Sequence, residues 1–112
     1  DRDFAFQCSG TSATGYRQKE DSSSVYIWIK GYSGKPLRLY VDGAYDNRGT
    51  GNLNCTQGVY RSNHEREWEI YNLVRENKRS YARLTAWAES GYGTVYGKWS
   101  PDCFGHFNKL PS

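Results

Sequence analysis

Methionine is absent from this 112-residue chain, and so is any apolar run of the roughly 18 residues that a membrane-spanning helix requires. The first absence includes an initiator, so a processed form that has lost a signal peptide is the expectation. The second leaves no transmembrane segment to be expected. Histidines are two, His64 and His106, with no ligand spacing around them, and no Gly-x-Ser-x-Gly elbow occurs. Neither a zinc centre nor a serine nucleophile is therefore indicated, and no cofactor is expected. Asp42, Asp46 and Asn47 could offer oxygens to calcium, but the helix-flanked loop pattern of calcium sites is missing. Cys8, Cys55 and Cys103 lie too far apart for a Cys-x-x-Cys metal or redox motif. Aliphatic side chains are few.

Aromatic residues take their place: 10 Tyr, 4 Trp and 4 Phe, together with 12 Gly. That mixture suits an all-β domain with many turns. The net charge of +3 is mild. It permits approach to an anionic polymer or surface without demanding it. Arg75, Lys78 and Arg79 form only a charged turn rather than a basic cluster, so nucleic acid is not an expected partner.

The clearest patterning runs from Ser80 to Cys103. Ala82, Leu84, Ala86 and Ala88 alternate with Tyr81, Arg83, Thr85, Trp87 and Glu89. Beyond Ser90–Gly93, Val95, Gly97 and Trp99 alternate with Thr94, Tyr96 and Lys98. Period-two runs on either side of a Gly-containing turn predict an antiparallel hairpin, stopped by Pro101. Upstream, Phe4 and Phe6 mark a first strand, and Tyr16–Lys19 a short second one before a solvated segment, Glu20–Ser24. Val25–Ile29 reads as a central strand, and Leu37, Leu39 and Val41 as the buried parity of the next. Asp42–Asn54, rich in Gly, Asp and Asn, is expected to be an irregular loop. His64–Arg75 fits a strand or a helical turn, and the strand is preferred because a polar turn follows it. Residues 104–112 form a tail whose Phe104 and Phe107 can dock on the body.

The sum is a single-domain antiparallel β-sandwich of about six to eight strands. Its expected core is Phe4, Phe6, Val25, Ile27, Ile29, Leu37, Leu39, Val41, Leu84, Val95 and Trp99. Terminal strands of sandwiches often lie side by side, so a Cys8–Cys103 disulfide is expected, with Cys55 left as a thiol. Closing so long a loop would stabilise the fold by about 4–5 kcal/mol in a chain-entropy treatment. Three reduced cysteines are the alternative.

The succession of Phe4 and Phe6, Tyr16–Lys19, Val25–Ile29, Leu37–Val41, Thr56-Gln57-Gly58, Tyr81–Trp87 and Ser90–Trp99 resembles small exported β-sandwich proteins of Gram-positive bacteria, similar in style to the lactococcin 972 bacteriocins. The resemblance covers residues 3–103, and the cysteines and the phenylalanine tail depart from it. It implies export and action at a bacterial envelope. It brings no catalytic motif, so no functional residue is carried over.

A non-enzymatic interaction protein is therefore the expected function, binding a cell-envelope glycan or a surface protein. Its binding residues would be the rings and polar groups of Tyr81, Arg83, Trp87 and Tyr92, with Asp46 and Asn47 from the loop. Flat rings beside Arg and Asn can stack on sugar faces while the polar groups orient hydroxyls. The competing reading of Trp28, Trp68, Trp87 and Trp99 is that they fill a core short of leucine. The alternative function is a small secreted hydrolase, ribonuclease-like, using His64 with Glu65, Arg66 and Glu67 as acid, base and cation. On a strand those four residues alternate faces, which counts against a converged site.

Overall fold

The computed structural model describes residues 2–111, and they form an all-β sandwich of nine strands in two antiparallel sheets. The strands are β1 (Arg2–Cys8), β2 (Thr11–Ala13), β3 (Arg17–Gln18), β4 (Val25–Gly34), β5 (Leu37–Ala44), β6 (Leu53–Asn54), β7 (Arg66–Ile70), β8 (Tyr81–Ala88) and β9 (Gly93–Ser100). The first sheet has the order β1-β9-β4-β7 and the second β2-β8-β5-β6. Strand β3 continues the line of β2 along β8, pairing with Tyr81 and Ala82 where β2 pairs with Thr85–Trp87.

The two runs of the Ser80–Cys103 stretch are both strands with the expected parity, but they do not form a hairpin. Strand β8 pairs with β5, β2 and β3, whereas β9 pairs with β1 and β4 in the other sheet. Residues 89–92 cross between the sheets instead of turning within one. Ala82, Leu84, Ala86 and Ala88 therefore face Val95, Gly97 and Trp99 through the core rather than lying beside them. Alternation dictates which parity is buried; it does not say whether the partner lies alongside or opposite. Gly93 makes the tight crossing feasible, because a Cβ there would overlap the Lys35 carbonyl oxygen.

The same device recurs twice. Residues 9–10 carry the chain from β1 to β2, and Lys35-Pro36 carries it from β4 to β5. Three arches stand side by side, which is why both sheets have the same strand order. Backbone bonds tie them together: Lys35 donates to the Tyr92 carbonyl at 3.0 Å and Ala88 to that of Gly10 at 2.9 Å.

All eleven residues of the expected core are buried between the sheets. Tyr60, Ile70, Val74 and Leu110 join them. Of the tryptophans only Trp99 is fully buried; Trp68 is partly covered, while Trp28 and Trp87 lie open on opposite outer faces. The His64–Arg75 ambiguity resolves as strand β7 followed by a single turn over residues 74–78, in which Asn77 donates to the Leu73 carbonyl. The expected irregular loop is shorter than its composition suggested: Asp42, Gly43 and Ala44 belong to β5, and Leu53 and Asn54 to β6. Residues 104–111 run along the outer edge of β7. There Glu69 and Lys109 form a parallel bridge and Leu110 is buried, whereas Phe104 is 88% exposed.

The cysteines require a correction. All three are free. Strands β1 and β9 are indeed neighbours, but their antiparallel register sets Cys8 opposite Gly93, at the start of β9, while Cys103 follows its end. Eight strand residues at about 3.3 Å each separate the two, against the roughly 7 Å limit between Cα atoms for a disulfide. Burial raises the pKa of each thiol. Alkylation in denaturant without reductant, read by mass spectrometry, should label three cysteines; a single label would restore the bridge.

Candidate functional site on the outer face of the second sheet

With its alanines and Leu84 turned inward, β8 turns Tyr81, Arg83, Thr85 and Trp87 to its outer face, where Thr85 alone is covered by its neighbours. Register supplies their neighbours. Trp87 stands between Arg38 of β5 and Thr11 of β2; Thr85 between Tyr40 and Ala13; Arg83 beside Asp42. Arg38 and Tyr40 fall outward because Leu37, Leu39 and Val41 take the buried parity.

Around Trp87, which is 40% exposed, the polar groups are held in place. Glu89 Oε1 accepts from Arg61 Nη2 at 3.0 Å and from its Nε at 3.2 Å, and Arg38 Nε lies 3.9 Å away. The Arg38 guanidinium also sits 5.4 Å from the centroid of the Tyr40 ring. One open indole is thus flanked by cations, a carboxylate and a hydroxyl.

Further along the face, Asp42 is buried, and its Oδ2 accepts from Arg83 Nε at 3.0 Å and from Thr85 Oγ1 at 2.7 Å. Arg83 in turn lies 4.9 Å from the centroid of the Tyr16 ring, whose hydroxyl is hydrogen-bonded by Asn52. This half of the face is knitted together internally. It is a rigid floor rather than an open site.

The residues expected to bind therefore divide. Tyr81, Arg83 and Trp87 share the face, but Tyr81 and Trp87 are six residues apart, about 20 Å along a strand. Tyr92 sits on the arch connecting the sheets, its ring exposed and away from the others. Asp46 shapes its own loop: Oδ1 accepts from the backbone of Arg48 and Thr50, and Oδ2 from Thr50 Oγ1 at 2.7 Å. These bonds hold the Asp46 carboxyl below its ordinary pKa. Asn47 lines a separate cleft with Tyr81. Glu89 shares the parity of Trp87, as the alternation indicated, whereas Arg38, Tyr40 and Arg61 complete the site without having been expected there. The polar parity of Leu37–Val41 contained the first two, but only the β5–β8 pairing brings them beside Trp87.

The hydrolase set does not converge. The His64 ring meets Trp68 edge-on at 6.2 Å between centroids, and Trp68 Nε1 donates to the carbonyls of His64 and Glu65. Glu67 accepts from the Tyr26 hydroxyl at 2.6 Å; burial, then this bond, raises the Tyr26 pKa. Arg66 is exposed with φ of 93°, and His106 lies exposed in the tail. Among the described residues no group of three or more His, Cys, Asp or Glu is placed to hold a metal.

A family model described as a protein of unknown function, DUF2712, matches residues 1–103. No curated protein and no solved structure matches the chain, and the family gives no link to lactococcin 972.

Proposed function

We propose a function for this chain, which belongs to the DUF2712 family of proteins of unknown function: it is an exported, non-enzymatic interaction domain that binds a glycan of the cell envelope through the Trp87 site. The observation that carries this reading is an exposed indole ringed by groups already fixed by ion pairs. A sugar ring can stack on Trp87 while Arg38, Arg61 and Glu89 meet its hydroxyls, and little side-chain freedom is lost on binding. A water-excluding cleft is not needed for such a contact. Export and an envelope target rest on the resemblance of the sequence to small exported proteins of Gram-positive bacteria, and they stand or fall with binding to wall material.

Sedimentation with isolated Gram-positive peptidoglycan and whole cells provides the test. Trp87→Ala should weaken binding by more than about 1 kcal/mol, as for an aromatic anchor, and leave the urea midpoint unchanged within error, since the ring is outside the core. Unchanged binding would remove the site. RNA cleavage by the wild type that disappears in His64→Ala would replace the whole reading with the hydrolase.

A further inference from the structure

At the end of the sandwich away from the arches, a cleft of about 410 Å³ opens between the two sheets. Arg2, Arg17, Gln18, Asn47, Tyr81 and Phe104 contribute to its lining. It differs from the Trp87 site in position and in chemistry.

Arg17 is the informative group. It leaves β3 in the second sheet and reaches across to the first, where Nη1 donates to the Trp99 carbonyl at 2.9 Å and the guanidinium lies 4.9 Å from the Trp99 ring centroid. Those contacts fix the planar head and use one of its five N–H donors. No carboxylate among the described residues lies within ion-pair distance of Arg17 or of Arg2. Two acids, Glu20 and Asp102, also line the cleft: Asp102 is taken by Lys19 and by the backbone N–H groups of Glu20 and Asp21, and Glu20 is exposed, while Asp3 faces Lys98. Instead the second guanidinium, Arg2, stands near the first. Burial, and then the charge of Arg2, lower the Arg17 pKa. Holding a half-buried guanidinium beside another cation opposes folding unless an anion offsets it.

The remaining lining has the other half of a ligand in view. Tyr81 offers an aromatic surface, Phe104 forms an exposed wall, and the amides of Gln18 and Asn47 supply donors and acceptors. We infer that this cleft is a binding site for a phosphorylated sugar, its phosphate held by Arg2 and Arg17 and its ring resting against Tyr81 and Phe104. Paired guanidiniums suit a phosphate because each can give two parallel N–H bonds to its oxygens. The volume lies within the range of small-ligand sites, at roughly 300–1,000 Å³.

Calorimetric titration with glucose 6-phosphate, inorganic phosphate and glucose tests the assignment. Glucose 6-phosphate should bind tightest, and Arg2→Gln should weaken it at least tenfold; Arg2 is exposed, so that variant keeps the fold. Arg17→Gln should do the same, and Tyr81→Ser should weaken the sugar phosphate but not inorganic phosphate. Trp87→Ala should change none of these values, so the two sites succeed or fail separately. Three results would overturn the assignment: glucose binding as well as its phosphate, unaltered affinity in folded Arg2→Gln, or inorganic phosphate equalling the sugar phosphate.

Discussion

Replacing Lys19 with Met should destabilise the domain by about 3–5 kcal/mol, the range for removing one partner of a buried ion pair. Lys19 is fully buried. Its Nζ donates to the Ser23 carbonyl at 2.5 Å, the Pro101 carbonyl at 2.7 Å and Asp102 Oδ1 at 3.0 Å. Asp102 in turn accepts from the backbone of Glu20 at 2.8 Å and of Asp21 at 3.3 Å. One ammonium and one carboxylate thus pin the segment leading into β4 against the end of β9. Methionine matches the lysine stem in length, so packing is largely kept while three acceptors lose their donor and the carboxylate loses its cation. Urea denaturation of Lys19→Met, Asp102→Asn and the double variant would measure the pair. The double variant should lose well under the sum of the two single losses, because it leaves neither charge orphaned. A loss below about 1 kcal/mol in Lys19→Met would mean that water replaces the ammonium and that the pair has no structural role.

Nothing in the sequence announced that pair. Lys19 closes the short run Tyr16–Lys19 read as a strand, at the border of the solvated segment Glu20–Ser24, and Asp102 follows the proline that ends the last strand. Their meeting depends on the antiparallel placement of distant segments, which local patterning does not encode. The core is the opposite case: Phe4 and Phe6, Val25 to Ile29, and Leu37 to Val41 announce their buried parity directly, and each is buried as expected. Pairing is where local reading ends. The run around Tyr92 has the composition of a hairpin and the geometry of an arch, because Gly-containing turns serve both. The cysteines show a separate limit: the adjacency of β1 and β9 is met, but strand direction, which local patterning does not carry, sets Cys8 and Cys103 at opposite ends of the pair. Pairing also shaped the candidate site. Trp87 was legible from its parity, but Arg38 and Tyr40 come from a strand more than forty residues earlier, and only the β5–β8 ladder joins them.

Ending the chain at Cys103 should lower stability by about 2–5 kcal/mol or more and promote self-association. Leu110 is 1% exposed and packs into the core, and deleting a buried leucine side chain costs about that amount on its own. The truncation also removes the bonds from Glu69 N–H to the Asn108 carbonyl at 2.9 Å and from Leu110 N–H to the Glu69 carbonyl at 2.9 Å. Glu69 Oε2 loses the Phe107 N–H, and Tyr26 loses the Phe107 ring at 5.3 Å between centroids. What remains is an uncovered β7 edge with a free donor and acceptor at Glu69, next to an apolar patch. Unpaired edges of that kind invite pairing with a second chain. The residues concerned lie beyond the stretch matched by the family model. Leu110→Ala separates the two effects: it should lose stability comparably while the backbone of the tail still covers the edge, and sedimentation velocity should find it monomeric. A truncated chain that melts like the full one and stays monomeric would show that the tail rests on β7 without closing it.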